Sequence, residues 1–427
     1  MIKEIKIYKG DIIFCESPDK FTTLENGYII TENNKIKETV QELPAEYSDI
    51  EILDFSGNLI IPGFVDIHLH APQFENLGLG YDNELLPWLE NYTFPEEAKF
   101  SDTKYAEEIY KKFIKALYMH GTARSVVFSS LHLESTEILA DLFLESGLGA
   151  YIGKVNMDRN SPSYLTENYK KSLEETEYFI KKYNKPDSMI KPIITPRFIP
   201  TCTPELMDGL SKLSEKYNVP VQSHLSENLS EIEWVKELHK EIETYAGVYD
   251  HYKMFGDRPT IMAHCIHNTD DEIKLMKEKG VFVAHCPTSN FNLSSGIAPI
   301  RKFLDNNVKV GIGTDIAGGH TISIPETIIS AIHASKMYSV YADRTFHSLS
   351  ISEAFFMATK GGGEFFGKVG SFEKDYEFDA LIINDNELSG GSNKTIQERL
   401  EKYIYFGAKE DIIKMFVSGK EINRERF

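Results

Sequence analysis

Two histidines one residue apart close an apolar run, Phe64-Val65-Asp66-Ile67-His68-Leu69-His70. The run is rich in β-prone residues and follows a Pro62-Gly63 turn. Side chains on a strand alternate faces, so His68 and His70 point the same way. Two imidazoles on one face at a strand end can grip one metal ion. Other titratable groups stand at the ends of later apolar runs: Arg197-Phe198, His224 with Glu227 close behind, His264, His285, and Gly313-Thr314-Asp315.

These types complete a ligand set. His68, His70 and His224 can be neutral nitrogen donors, and Asp315 the carboxylate. Zinc or iron accepts such a set and, when catalytic, keeps a position for water. Metal binding brings the pKa of that water towards neutrality, and Asp315 can take its proton. Glu227 is offset from His224, which suits a proton shuttle. His264 can hydrogen-bond the attacking water or the substrate. Each residue also has a plainer reading: a satisfied core histidine for His224, a helix N-cap for Asp315, a solvated helix-start glutamate for Glu227, and a supporting role for His264. His285 and Cys286 precede Pro287 without any triad pattern, so packing is expected there. A two-metal site would call for a carboxylated lysine at the end of strand four. Arg197 stands there, while Lys154 lies in strand three, so one metal per chain is expected.

The elements that must position these groups alternate. Apolar runs at 60–70, 123–128, 149–157, 192–198, 219–224, 260–264, 281–285 and 308–315 read as eight strands. Amphipathic helical patterns lie between them, at 103–120, 167–183, 204–217, 231–245, 270–278 and 297–306. The expected fold is α/β: a (β/α)8 barrel over 63–369, with its chemistry at the C-terminal strand ends. A doubly wound sheet is the alternative, but no Gly-x-Gly-x-x-Gly follows the first strand. Residues 1–62 and 370–427 read as short strands with turns. Neither end can build a core alone, so a small composite β-sandwich of both ends is expected. The loop at 71–100 is long and aromatic, with Trp88, Tyr92 and Phe94, as loops over active sites are. Gly361-Gly362-Gly363 reads as a helix break or close packing, with a phosphate cradle as the alternative.

The formal net charge of −19 opposes binding to nucleic acid or to an anionic membrane. No run reaches the roughly 18 apolar residues of a membrane span, and the N-terminus lacks a secretory pattern. Four cysteines without a Cys-x-x-Cys pair suit a reducing compartment, so a cytoplasmic location is expected.

The stretch 62–70, the histidines after strands five and six, and Gly-Thr-Asp after strand eight resemble the amidohydrolase superfamily. His224-Leu225-Ser226-Glu227 is similar to its mononuclear deaminase branch. His70-Ala71-Pro72-Gln73, Trp88-Leu89, Tyr92-Thr93-Phe94-Pro95, the run 191–198, Gln222 to Asn228, Ala284-His285-Cys286-Pro287 and 313–319 resemble the guanine deaminases within it. The likeness runs over roughly 60–370 and loosens at the ends. Pro72 and His320 depart from it, where a small polar residue and an aromatic would be expected.

The resemblance implies a metal-bearing barrel with metal ligands His68, His70, His224 and Asp315. It implies one zinc per chain, with iron as the alternative. It implies substrate contacts from Gln73, Arg197, Phe198, Glu227 and His264, with Trp88 from the aromatic loop, and Glu227, Asp315 and His264 as catalytic groups. The expected substrate is guanine and the expected assembly a homodimer. Other ring aminohydrolases or chlorohydrolases, acting on triazines or adenosine-like compounds, are the nearest alternative. A non-catalytic scaffold relative would have lost ligands that this chain retains.

Overall fold

The computed structural model describes residues 4–389 and 394–427. The first part of the chain lays down β1 (Ile5–Ser17), β2 (Lys20–Glu32), β3 (Lys35–Val40) and β4 (Ile52–Pro62). The chain then passes into the barrel: β5 (Phe64–His70), β6 (Thr122–Phe128), β7 (Gly149–Gly153), β8 (Val155–Asn156), β9 (Ile190–Pro192), β10 (Thr195–Pro196), β11 (Val221–Leu225), β12 (Thr260–His264), β13 (Phe282–His285) and β14 (Lys309–Ile312). It returns to the first sheet with β15 (Ala380–Ile383), β16 (Ile412–Val417) and β17 (Lys420–Glu421).

The barrel expectation is borne out. Eight parallel strands run in the order β5-β6-β7-β9 and β11-β12-β13-β14. Ile194 bridges the halves, donating to Pro220 O and accepting from Gln222 N, both at 2.9 Å. The ring closes where the chemistry is expected: Asp315 N donates to His68 O at 2.9 Å, and His70 N to Ile316 O at 2.8 Å. β5 is buried at every residue, as a parallel strand covered on both faces must be.

The structure departs from the sequence reading at one strand and two helices, and agrees with it at the glycine cluster. The fourth strand stops at Pro192 and resumes only as Thr195–Pro196, which pairs with β8. Pro192 and Pro196 lack the N–H that a continuous ladder needs. Helices at Leu133–Ser146 and Ile324–Tyr341 were not legible. The first carries a near-continuous apolar run from Ile138 to Leu144, and the second has no clean apolar stripe. The glycine cluster serves close packing: a Cβ on Gly311 would come within 2.9 Å of Gly362 Cα, beneath β5 and β14.

The two chain ends meet as expected, and their strands join one seven-stranded sheet, β17-β16-β15-β4-β1-β2-β3. Its period-two alternation sorts the residues. Ile12, Ile60 and Ile382 pack with Phe372, Phe378 and Phe416 on one face. Ile13, Leu59, Ile61, Leu381 and Ile383 turn into the barrel's core. Arg124 on β6 fastens the two parts. It is buried, and its Nε donates to Asp379 Oδ2 at 2.6 Å and its Nη2 to Glu377 Oε2 at 2.6 Å. Removing one partner of a buried pair strands the other charge, at a cost of about 3–5 kcal/mol. Arg124→Met should therefore lower the urea midpoint by that amount of stability; an unchanged midpoint would show that this pair holds nothing.

Candidate active site

The ends of β5, β11 and β12 and the turn after β14 bring the titratable residues together. His68 Nε2 lies 3.1 Å from Asp315 Oδ1, and His70 Nε2 lies 3.4 Å from the same oxygen. His70 Nε2 and His224 Nε2 are 3.2 Å apart. His264 Nε2 lies 3.4 Å from Glu227 Oε2 and 3.8 Å from Asp315 Oδ2. All six side chains are buried. Ser226, His264, Cys265 and Asp315 have φ values of 51°, 70°, 51° and 49°. Left-handed backbone at non-glycine residues costs on the order of 1–3 kcal/mol each and gathers at functional sites.

The protonation states follow from burial. Burial drives the His70 imidazole down to about 4, against the pull of Asp315. Burial, reinforced by His68, His70 and His264, holds His224 well below its ordinary value. Burial pushes Asp315 up, but His68 and His70 outweigh it and hold the carboxyl well below the usual range. Burial, with Asp315 and Glu231 nearby, pushes Glu227 well above its ordinary value. His70 and His224 are thus held neutral, Asp315 is ionised, and Glu227 keeps its proton more tightly than usual.

These residues fit a divalent metal ion. His224 Nδ1 is 2.6 Å from Arg197 O, a group that only accepts, so Nδ1 carries the proton and Nε2 presents its lone pair to the cluster. His68 Nε2 is buried and, although 3.1 Å from Asp315 Oδ1, makes no well-aligned hydrogen bond among the described residues. Ligand atoms of His68, His70 and Asp315 lie within 4.8 Å of one another, as do those of His68, His224 and His264. Three nitrogens and a carboxylate oxygen suit zinc or iron.

A pocket opens beside the cluster. Gln73, Trp88, Arg197, Phe198, Glu227 and His264 line it, with Leu85, Leu89 and Leu293. Trp88 Nε1 is satisfied by Leu79 O at 2.9 Å. His285 lies outside the cluster. It is buried, neither ring nitrogen has a partner, and burial lowers it to about 3. Burial pushes the Cys286 thiol well up, which argues against a thiolate nucleophile. Lys154 is a buried structural cation held by Glu167 at 2.8 Å.

Several supporting residues escaped the sequence reading. Asp66 accepts from His68 N at 3.2 Å, from Thr314 N at 3.1 Å and from Thr314 Oγ1, so it ties β5 to the turn that bears Asp315. Glu231 accepts from Glu227 N at 2.9 Å, from Asn228 N at 3.2 Å and from Tyr245 Oη at 2.7 Å. The same Asn228–Glu231 pair caps the helix Leu229–Leu238, so a capping box fixes the loop that carries Glu227. Asn-x-x-Glu after His224 was the available signal. Glu97 pairs with Arg197 Nη1 at 2.6 Å and with Gln73 Nε2 at 2.8 Å, and nothing local in the sequence marks it.

The Amidohydrolase family model matches residues 59–422. The chain belongs to the amidohydrolase family. It is 37% identical to a guanine deaminase of Dictyostelium discoideum over 98% of both chains. It is 31% identical to a 5'-deoxyadenosine deaminase of Methanocaldococcus jannaschii, over 93% of this chain and 91% of that one. A crystal structure of guanine deaminase from C. acetobutylicum with guanine bound in its active site superposes with a TM-score of 0.97 at 52% identity, covering 98% of this chain and 100% of that one. Among the described residues no helix is long and apolar enough to cross a membrane.

Site-directed variants test which of the crowded groups hold a metal. His70→Asn and Asp315→Asn should lose most of the bound ion on elemental analysis, while His264→Asn and His285→Asn should retain it. Retention by Asp315→Asn would move the ligand set to His68, His224 and His264.

Proposed function

We propose that this chain is a guanine deaminase: guanine and water give xanthine and ammonia. What carries the reading is the likeness, along almost the whole chain, to an enzyme crystallised with guanine in its active site. The chemistry of the pocket agrees with it. Arg197 can only donate hydrogen bonds, and O6 of guanine is an acceptor.

His68, His70, His224 and Asp315 would hold one zinc ion, which when bound would acidify a water molecule. Asp315 takes a proton from water as its oxygen bonds to C2. Glu227 passes its proton to N3, and C2 becomes tetrahedral. The proton held by Asp315 then moves to the exocyclic amine, the C2–N bond breaks, and ammonia leaves. The hydroxyl proton returns to Glu227 as the C2 carbonyl forms, so both carboxyl groups are restored. His264, between the two carboxyls, hydrogen-bonds the new hydroxyl. Phe198 and Trp88 lie against the ring. A homodimer in the cytoplasm, expected from the sequence, completes this reading.

Adenine offers an amine where guanine offers O6. Glu97 neutralises the Arg197 charge, so the penalty against adenine is two donors meeting without an acceptor. Each unsatisfied buried group costs about 1–3 kcal/mol, and a site built to bond a substrate group rejects the analogue lacking it strongly. Guanine should be preferred over adenine by at least about 10²-fold.

Ammonia release from guanine, adenine, cytosine, adenosine and a triazine decides the substrate. Guanine should be the good one; turnover of adenosine in its place would favour the nucleoside deaminases instead. Glu227→Gln is nearly isosteric but carries no transferable proton. It should retain its metal and lose about 10²- to 10⁴-fold in kcat. Normal turnover by this variant would remove Glu227 from the proton path.

A further inference from the structure

We infer that Glu97 is a positioning residue that sets the choice of purine by orienting both Gln73 and Arg197; this rests on the guanine reading above. Glu97 comes from a short helical turn in the long aromatic loop, 4% exposed, and its side chain does not line the pocket. Each carboxylate oxygen has one task. Oε1 accepts from Gln73 Nε2 at 2.8 Å, and Oε2 accepts from Arg197 Nη1 at 2.6 Å. The other end of the Gln73 amide is held as well, since Oε1 of Gln73 accepts from Ala317 N at 3.1 Å.

An ionised carboxylate cannot donate. Glu97 therefore admits only the amide orientation with Nε2 towards it, and the Ala317 N–H requires the same one. Arg197 is steadied from a second side, its guanidinium carbon 5.2 Å from the centre of the Phe94 ring. The guanidinium N–H groups not spent on Glu97, and the second Nε2–H of Gln73, remain for substrate. The edge presented is rich in donors and carries little net charge, because Glu97 balances Arg197. Such an edge matches the C6 carbonyl of guanine. It mismatches 2-aminopurine, which has no oxygen there. Arg197 also feels Glu227 electrostatically. Without Glu97 the guanidinium would lose the carboxylate that orients it.

The test compares kcat/KM for guanine and for 2-aminopurine in the wild type, Glu97→Gln, Arg197→Leu and the double variant, with metal content measured throughout. In Glu97→Gln the KM for guanine should rise at least tenfold, the guanine preference should fall at least tenfold, and the metal should stay. Glu97→Asp keeps the charge with a shorter reach and should recover part of the preference. In the Arg197→Leu background, Glu97→Gln should lower the preference by a smaller factor than it does in the wild type, because the part of its effect that passes through Arg197 is gone and only the part through Gln73 remains. A merely structural Glu97 would lower kcat on both bases alike and add to Arg197→Leu; that result overturns the inference, as does an unchanged preference in Glu97→Gln. Failure of the wild type to deaminate guanine would instead overturn the substrate reading.

Discussion

Imidazole nitrogens and a carboxylate oxygen crowd together at the mouth of this barrel, on side chains that are all buried. Buried neutral imidazoles and an ionised carboxylate are each costly to desolvate. A divalent cation bound among them would offset that cost by taking one lone pair from each ligand. Much of the surrounding structure reads as the means of holding these atoms together. β5 and the turn after β14 are laced by backbone hydrogen bonds at the histidines themselves, and the Asp66 carboxylate adds a side-chain tie between the same segments. Left-handed backbone at Asp315 and His264 aims their side chains inward at a local cost. Packed strands and capped helices must supply that cost.

On the proposed function, the pocket beside the cluster divides into a reacting side and a reading side. On the reacting side, Glu227 sits on a loop whose backbone N–H groups are held by Glu231, itself held by Tyr245. The proposed proton transfer would use a carboxyl that is buried with Asp315 and Glu231 nearby. On the reading side, a buried Glu97 faces two side chains and leaves them their donors. The two carboxylates are used in opposite ways. Glu227 is crowded by Asp315 and burial and holds its proton, whereas Glu97 is ion-paired with Arg197 and serves as an acceptor.

The sequence made the barrel legible because eight apolar runs alternate with amphipathic stretches, and period two puts His68 and His70 on one face. It also showed that both chain ends need each other, since neither could build a core. The segments it misread have physical reasons. Proline breaks the fourth strand, and the helices at Leu133–Ser146 and Ile324–Tyr341 lack a clean stripe. The candidate metal-site residues were legible because they stand at or just after strand ends, where the fold concentrates chemistry; as substrate contacts Gln73 and Trp88, in the long loop, came only from the family resemblance. Their supports were hidden because the pairs are distant in sequence: Asp66 with Thr314, Gln73 with Ala317, Glu97 with Arg197. Glu97 in particular looks like one acid among many until the fold sets it against a buried guanidinium.

The proposed site needs one cation to work. The sharpest check is to strip the purified chain of metal and titrate it with zinc while following ammonia release from guanine. The stripped chain should be inactive, and activity should rise linearly and saturate at one zinc per chain. Full activity without metal, or saturation only at two, would rule out a one-metal site.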